Sequence, residues 1–257
     1  MTWTEDDLTH DAFLGGRLHL WQPRTGYRAG IDPVLLAAAV PARAGQTALD
    51  LGCGAGAAAL CLAARVPGVQ IAGVERQADY ADLARRNAED GGFDCTIVQA
   101  DLTELPADLR QRQFDHVFAN PPYFDPAQSR PAQDAGREAG RAGDTPLATW
   151  VQTAARRLAP SGMLHMIQRA ARLPELLAAC ENRLGSMELL PLAPRQNRAA
   201  HLVILRARKG GRAPFTLHAP CLLHIGEKHE RDADSYTPEI SAVLRNGAAL
   251  PWPLRGR

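Results

Sequence analysis

The chain has 257 residues, of which 46% are hydrophobic, and a formal net charge of +1 at pH 7. This length suffices for one large core with a small appendage, and the near-zero charge gives no global argument for nucleic acid binding. No apolar run reaches the roughly 18 residues of a membrane span, and the acidic start from Thr4 to His10 is unlike a signal peptide, so we expect a cytoplasmic protein.

The first predicted elements form a lead-in, residues 1–45. Leu18, Leu20 and a turn over Pro23 to Gly26 predict a small β-hairpin. Asp32 followed by Pro33 is an N-cap and first-turn pair that predicts a helix through residues 34–39.

A glycine-rich turn follows the first strand of the main domain. The pattern predicts a strand over 47–51, a tight turn and a helix over 56–65. Alternate glycines let the backbone adopt positive φ and approach a ligand, and the helix start presents free N–H groups. A small polar cofactor fits such a turn, with predicted contacts from Asp50, Gly52, Cys53, Gly54 and Gly56.

The next predicted strand, 69–75, ends in Glu75, nineteen residues after Gly56. A carboxylate at this position can accept hydrogen bonds from both ribose hydroxyls of a nucleotide-like ligand. A nicotinamide cofactor is the natural rival, but its usual pattern is Gly-x-Gly-x-x-Gly. Here the third glycine comes one residue early and an aspartate precedes the first glycine by two, which favours S-adenosylmethionine. We place Arg76 in the same predicted site.

A helix over 78–90 and a strand over 94–100 lead to Asp101. Its carboxylate could accept the adenine amino group of the cofactor, with Leu102 beside it. The alternative is a helix-cap or turn residue.

Asn120-Pro121-Pro122-Tyr123 directly follows a predicted strand over 114–119. The prolines remove two backbone donors, so the peptide offers carbonyl acceptors without competing N–H groups, and Asn120 adds an amide oxygen. These acceptors can hold both hydrogens of an exocyclic amino group while Tyr123 stacks on the plane that carries it. We expect a catalytic role for all four residues; the alternative is a strand that ends in a proline turn.

The rest of the chain predicts a loop beside the target pocket at 125–143, helices 145–159 and 172–184, and strands 162–168, 186–191 and 200–207. Short strands at 216–218 and 222–225 and a helix from 236 to about 245 follow. Alternating segments imply an α/β, Rossmann-like fold, a mostly parallel twisted sheet with an antiparallel edge strand and helices on both faces. We expect a core domain that binds the cofactor at 46–208 and an extension packed on it at 209–257.

Six basic side chains lie within eighteen residues that contain no acidic residue: Arg195, Arg198, Arg206, Arg208, Lys209 and Arg212. This stretch forms either a surface that binds phosphates or a solvated strand face. Arg195 and Arg198 are the predicted substrate contacts. The eight histidines are scattered and are expected to be structural. The five cysteines include no Cys-x-x-Cys pair, so we expect reduced core thiols, without metal ligation or disulfides.

Residues 13–207 resemble the class I S-adenosylmethionine-dependent methyltransferases, in the branch whose fourth strand ends in Asn-Pro-Pro-Tyr. The residues that carry this resemblance are Asp50 to Gly56, Glu75, Asp101 and Asn120 to Tyr123. The stretch from Leu20 to Asp32 further resembles the lead-in of bacterial enzymes that N6-methylate an adenine beside the anticodon of a valine tRNA. The resemblance implies that Tyr27, Arg28, Gly30 and Asp32 lie over S-adenosylmethionine, with S-adenosylhomocysteine as product and RNA, in particular tRNA, as partner. For Tyr27 and Arg28 the alternative is simple packing beside the helix that follows.

Three hypotheses follow. The first is methyl transfer to an exocyclic amino group of a nucleic-acid base, with adenine N6 in tRNA favoured over DNA or ribosomal RNA. The second is transfer to a protein glutamine amide, although about 45 residues before the first strand leave little room for the helical substrate domain usual in such enzymes. The third is a cofactor-binding module without catalysis, or a nicotinamide-binding protein. The patterns leave the choice between monomer and dimer open.

Overall fold

The computed structural model describes residues 3–123, 145–226 and 235–253. In chain order its strands are β1 (Leu8–Phe13), β2 (Leu18–Pro23), β3 (Thr47–Leu51), β4 (Gln70–Glu75), β5 (Cys95–Gln99), β6 (Phe114–Ala119), β7 (Leu158–Arg169), β8 (Gly185–Ala193), β9 (Leu202–Arg208), β10 (Thr216–Leu217) and β11 (Cys221–Leu222). Its helices are α1 (Asp32–Ala39), α2 (Ala57–Arg65), α3 (Ala78–Asp90), α4 (Ala107–Gln111), α5 (Leu147–Arg157), α6 (Leu173–Cys180) and α7 (Pro238–Asn246).

Nine strands form the central sheet, in the order β10-β8-β9-β7-β6-β3-β4-β5, with β11 also paired to β8. Among them only β9 runs antiparallel to its neighbours β7 and β8. The predicted antiparallel strand is therefore present but internal, because β8 and the two short strands pair on its outer side. Buried side chains of α1, α2 and α7 pack on one face of the sheet and those of α5 and α6 on the other, which confirms the predicted α/β fold.

The predicted strands and helices of the core are all present; those at 47–51, 78–90 and 114–119 have the predicted bounds, and the ends of the others are shifted. The helix predicted to reach residue 184 ends at Cys180, because Glu181 leaves the helical region with a ψ of 136° and Asn182 takes a positive φ of 59°. The one-turn helix α4 was missed, since five residues carry little periodicity. The division between residues 208 and 209 stays a prediction, and α7 shares one buried cluster with α1 and α2.

The N-terminal hairpin differs from the prediction in the position of its turn. β1 pairs with β2 in register from Leu8 opposite Pro23 to Phe13 opposite Leu18. The turn between them uses Gly15 and Gly16, whose φ angles are 67° and 88°. Glycine adopts such angles without the steric cost of a Cβ, so this pair closes the hairpin. The predicted turn after Pro23 is wrong, since that segment connects the hairpin to α1.

The C-terminal end of α1 is capped by groups from three distant parts of the chain. The Arg65 guanidinium on α2 donates to the first and last carbonyls of the stretch Ala37 to Val40. Arg206 on β9 and the backbone N–H of Leu250 donate to the two carbonyls between them. Cations at this end also oppose the helix dipole. The helix is thereby fixed at the end away from its first residue, Asp32.

Two histidines form a buried pair on β6 and β7. His116 Nδ1 lies 3.3 Å from His165 Nε2, and both side chains are buried. Burial lowers the pKa of His116 to about 4 and that of His165 well below its usual range, with nearby arginines adding to the effect. Both rings are therefore neutral, in line with the structural role expected for histidines.

Among the described helices, none combines the length and apolarity needed to cross a membrane. The five cysteines are free thiols, and Cys53, Cys61 and Cys180 are buried. No group of three His, Cys, Asp or Glu side chains suited to a metal ion occurs within the described residues.

Candidate active site

A cavity of about 520 Å³ opens at the carboxyl ends of the central parallel strands. This is the edge where α/β sheets bind ligands. Its lining includes most of the predicted site residues: Tyr27, Arg28, Gly30, Asp32, Asp50, Gly52, Cys53, Gly54, Glu75, Arg76, Asp101, Leu102, Asn120, Pro121, Pro122 and Tyr123. Gly56 lies behind them as the N-cap of α2.

The glycine-rich turn needs its glycines for conformation and for packing. Gly52, Gly54 and Gly56 have φ angles of 68°, 54° and 90°. A Cβ on Gly52 would lie 2.5 Å from Cη2 of Trp150 on α5, whereas a Cβ on Gly54 would come no nearer than 3.8 Å, to the Tyr27 ring. The turn is therefore packed tightly against Trp150 at Gly52 and leaves room for a ligand at Gly54.

Two buried carboxylates border this turn. Glu75 accepts hydrogen bonds from the backbone N–H groups of Gly54 (3.0 Å) and Gln77 (2.8 Å), which fix its carboxylate while leaving further lone pairs for a ligand. Asp50 is only 2% exposed, and its Oδ2 has no hydrogen-bond partner among the described residues. Burial raises the pKa of Asp50 well above its usual value, and the charge of Glu75 adds to this.

Asp101 forms a turn, which was the alternative to a cofactor contact in the sequence analysis. Its Oδ1 accepts hydrogen bonds from the Thr103 backbone N–H (2.8 Å) and hydroxyl (2.7 Å), which lower the pKa of Asp101. Its Oδ2 lies 3.8 Å from Arg76. Because the side chain also lines the cavity, the turn fixes a carboxylate at the far end of the site.

In the lead-in, Tyr27 and Arg28 have different surroundings. The backbone of Tyr27 is held on both sides by the Tyr80 hydroxyl, at 2.9 and 3.1 Å, and its own hydroxyl lies 3.4 Å from Asn120 Nδ2. The Arg28 guanidinium instead binds Asp11 at 2.7 Å and the Thr9 hydroxyl at 2.8 Å, both on β1. Tyr27 thus contacts the site, while the Arg28 guanidinium packs on the hairpin.

The Asn-Pro-Pro-Tyr motif is held by side chains that sequence reasoning missed. Arg172 donates to the Pro122 carbonyl at 3.1 Å, and Gln168, fully buried on β7, lies 3.5 Å from the Pro121 carbonyl. The sequence predicted that these carbonyls are acceptors without competing backbone N–H groups; in the structure both already accept from a side chain, and each oxygen keeps a second lone pair.

Tyr123 is fixed by Asp32. Its hydroxyl donates to Asp32 Oδ2 at 2.6 Å, and burial raises its pKa, with Asp32 adding to the shift, so the phenol stays protonated. Asp32 is the first helical residue of α1 and does not cap it; Ile31 takes the N-cap position. The carboxylate predicted to cap the helix thus binds the motif.

Further cavity residues went unnoticed in the sequence: Gln22, Tyr80, Trp150 and Arg169. Only Arg169 carried a usable signal, since it directly follows the predicted parallel strand 162–168, at the ligand-binding edge. The others come from a hairpin strand and from helices, where nothing in their spacing marks them.

The two arginines that were predicted to contact the substrate differ in burial. Arg195 is only 7% exposed, and its guanidinium donates to the carbonyls of Ile225 and Gly226 and to the Ser235 hydroxyl. This corrects the expected phosphate contact, because the side chain is committed to holding the C-terminal segment. Arg198 is exposed, on the loop after β8.

The rest of the basic stretch does not form one surface. Arg206 and Lys209 donate to backbone carbonyls of Ala39 and Leu158. Because β9 is antiparallel to β7, its basic end lies at the amino ends of the parallel strands, away from the cavity. The predicted loop 125–143 lies outside the described residues.

Comparison with known proteins identifies the fold and the family. Residues 30–190 match the family model of the methyltransferase small domain. A tRNA1(Val) (adenine(37)-N6)-methyltransferase of Porphyromonas gingivalis is 33% identical over 80% of this chain and 86% of its own length. An enzyme of the same name from Yersinia enterocolitica is 37% identical over 46% of this chain and 47% of its own.

Two solved structures are similar. A predicted O-methyltransferase of Agrobacterium tumefaciens has a TM-score of 0.68 and 28% identity, covering 85% of this chain and 97% of its own. A 16S rRNA N2 G1207 methyltransferase of T. thermophilus, solved with AdoMet and guanosine, has a TM-score of 0.55 and 21% identity over 79% of this chain and 50% of its own, a likeness that concerns the fold. The nicotinamide-binding alternative finds no support here. The chain belongs to the methyltransferase small domain family and is a methyltransferase.

Proposed function

We propose that the protein transfers the methyl group of S-adenosylmethionine to N6 of an adenine in tRNA, at the position beside the anticodon that its relatives' names give as adenine 37. The observation that carries the proposal is the placement of Asn120 and Tyr123 in one cavity with the glycine-rich turn and the carboxylates of Asp50 and Glu75. The relatives that cover most of the chain carry this activity in their names.

The residues present fit the cofactor. The open side of Gly54 leaves room for a ligand against the turn, and Asp50 presents a buried oxygen without a partner in the described part of the chain. Glu75 would accept from the ribose hydroxyls and Asp101 from the adenine amino group. When bound, S-adenosylmethionine would supply a methyl group on a positively charged sulfur, which keeps the electron pair of the broken C–S bond as S-adenosylhomocysteine.

The chain's own residues bind and orient the target amine. Asn120 Oδ1 and the free lone pair of the Pro121 carbonyl would accept its two hydrogens, which directs the nitrogen lone pair toward the methyl group. Tyr27 and Tyr123 supply aromatic surface in the same cavity as Asn120, and the Asp32 bond fixes the Tyr123 ring. As the nitrogen gains its methyl group, its positive charge is stabilised by these oxygens until a proton leaves to water.

The test is methylation of unmodified tRNA, ribosomal RNA and total protein fractions with methyl-labelled S-adenosylmethionine, followed by nucleoside analysis. We expect label in tRNA as N6-methyladenosine. Label in a protein fraction as methylglutamine would keep the motif chemistry and refute the RNA substrate. No label in any fraction, with the cofactor bound, would refute the proposed reaction.

The matched variant is Asn120→Ala. We expect kcat to fall at least about 100-fold, as for loss of one preorganised polar group in other active sites, while the Kd of S-adenosylmethionine stays within about twofold. A variant that weakens only cofactor binding would contradict the role given to Asn120.

A further inference from the structure

Charged side chains line the cavity on both sides of Asn120. The carboxylates Asp50, Glu75 and Asp101 lie at the ends of β3, β4 and β5. On the other side of Asn120, at the end of β7, stands Arg169. Because the strand order is β7-β6-β3-β4-β5, the acceptors suited to a nucleoside and the cation lie on opposite sides of the motif.

Arg169 differs from the other arginines near the cavity. Arg28 pairs with Asp11, Arg76 lies near Asp101, and Arg172 holds Glu175 at 2.9 Å. Arg169 is exposed, and within residues 3–123, 145–226 and 235–253 its guanidinium has no carboxylate partner. Its guanidinium carbon lies 5.5 Å from the centroid of the Tyr123 ring. This cation is thus available to a ligand.

The backbone under this side chain is fixed. Arg169 stands opposite Leu202 in the β7–β9 ladder, and the next residue, Ala170, donates to the His201 carbonyl at 2.8 Å. The N–H of Arg169 itself donates to Gln168 Oε1 at 2.8 Å. An exposed guanidinium on a fixed backbone, beside the aromatic ring of the motif, can bind an anionic group at a defined place.

We propose that Arg169 binds a backbone phosphate next to the target adenine while that base stacks on Tyr123. The inference rests on the proposed function, because only a nucleic acid brings a phosphate beside the base. A guanidinium fork matches two phosphate oxygens, and the aromatic face is free to exchange its cation for a base. Arg169 is a binding residue and takes no part in the methyl transfer itself.

The experiment compares Arg169→Gln with the wild type in steady-state methylation of unmodified tRNA. We expect KM for tRNA to rise about tenfold, as for loss of one charge-assisted contact, with kcat within about twofold. The slope of log affinity against log salt should become shallower by about 0.7, the value for one phosphate in a single strand. Arg169→Lys should keep most of this slope. An unchanged KM and an unchanged salt slope in Arg169→Gln would overturn the proposal.

The matched control is Arg212→Gln, which removes an exposed arginine at the opposite end of the sheet. Its KM should not change; an equal rise in both variants would show loss of general charge and would overturn the specific contact. The Kd of S-adenosylmethionine and the melting temperature should be unaltered in both.

A second measurement addresses the phosphate directly. A stem-loop RNA with one neutral methylphosphonate, on the 5′ or the 3′ side of the target, should weaken the wild type about tenfold at one of these positions and leave Arg169→Gln without further loss. Additive losses at both positions would overturn the proposal. A wild type that methylates no tRNA would instead refute the proposed function.

Discussion

The contact between Gly52 and Trp150 makes the glycine-rich turn sensitive to a single methyl group. In Gly52→Ala, the new Cβ would meet Cη2 of Trp150 at 2.5 Å and Cζ3 at 2.9 Å. The positive φ of 68° adds about 1 kcal/mol of backbone strain for a residue with a side chain. Overpacking of a closed site costs about 1 to 3 kcal/mol. We therefore expect unfolding free energy to fall by about 2 to 4 kcal/mol.

Two other glycines serve as matched controls. Gly45 has a φ of 83° with no atom within 4 Å of a built Cβ, so Gly45→Ala should lose only the backbone share, about 1 kcal/mol. Gly54→Ala should lose about the same, since its nearest neighbour is 3.8 Å away, but its methyl group would enter the cavity and weaken S-adenosylmethionine binding.

The assay is urea unfolding of the three variants at pH 7, with cofactor affinity measured by calorimetry. In a Trp150→Phe background, which removes the ring atoms that meet the new methyl group, the cost of Gly52→Ala should drop toward that of Gly45→Ala. Equal losses for Gly52→Ala and Gly45→Ala in the wild-type background would refute the packing argument.

Three further predictions concern charge and burial. Asp50→Asn should stabilise the free protein at pH 7 and weaken S-adenosylmethionine binding. Because the pKa of Asp50 in the folded protein lies above the unfolded value of 3.8, the stability of the wild type should decline as pH rises above about 4. Urea unfolding of the variant at a series of pH values should lack this decline. His116 has a folded pKa of about 4 against 6.5 unfolded, so stability should fall by about 2 to 3 kcal/mol as pH drops from 6.5 to 4, and His116→Gln should flatten that limb of the titration. Arg195→Met should lower the free energy of unfolding in urea by about 2 kcal/mol, since it leaves carbonyl groups unpaired, and KM for tRNA should not change. Arg198→Met should leave the free energy of unfolding unchanged. A raised KM without loss of stability in Arg195→Met would restore the predicted phosphate contact of Arg195.

The central sheet was predictable because its signals are local. Strand 114–119 is found as predicted, since apolar residues lie between turn residues on both sides. The turn Gly52 to Gly56 marks its own conformation, and parallel strands bring their carboxyl ends together whatever the loops between them do. The hairpin turn was placed wrongly because the proline at 23 outweighed the pair Gly15 and Gly16.

The partners of the site were less predictable, because they depend on tertiary distance. Nothing near Pro122 in the sequence indicates that Arg172 donates to its carbonyl. Arg195 and Arg198 are three residues apart and of one type, yet one is buried and the other exposed. They differ in burial only because the C-terminal segment folds back over β8 and accepts hydrogen bonds from Arg195.

The capping of α1 has a consequence for the order of folding. The helix that begins with Asp32 ends on groups from α2, from β9 and from Leu250, the last more than 200 residues further along the chain. Contacts of such sequence separation form late, after the loop between them has closed. We expect the sheet to form before this helix is locked, so that the Asp32–Tyr123 bond, which completes the pocket, becomes permanent only once the C-terminal segment has docked.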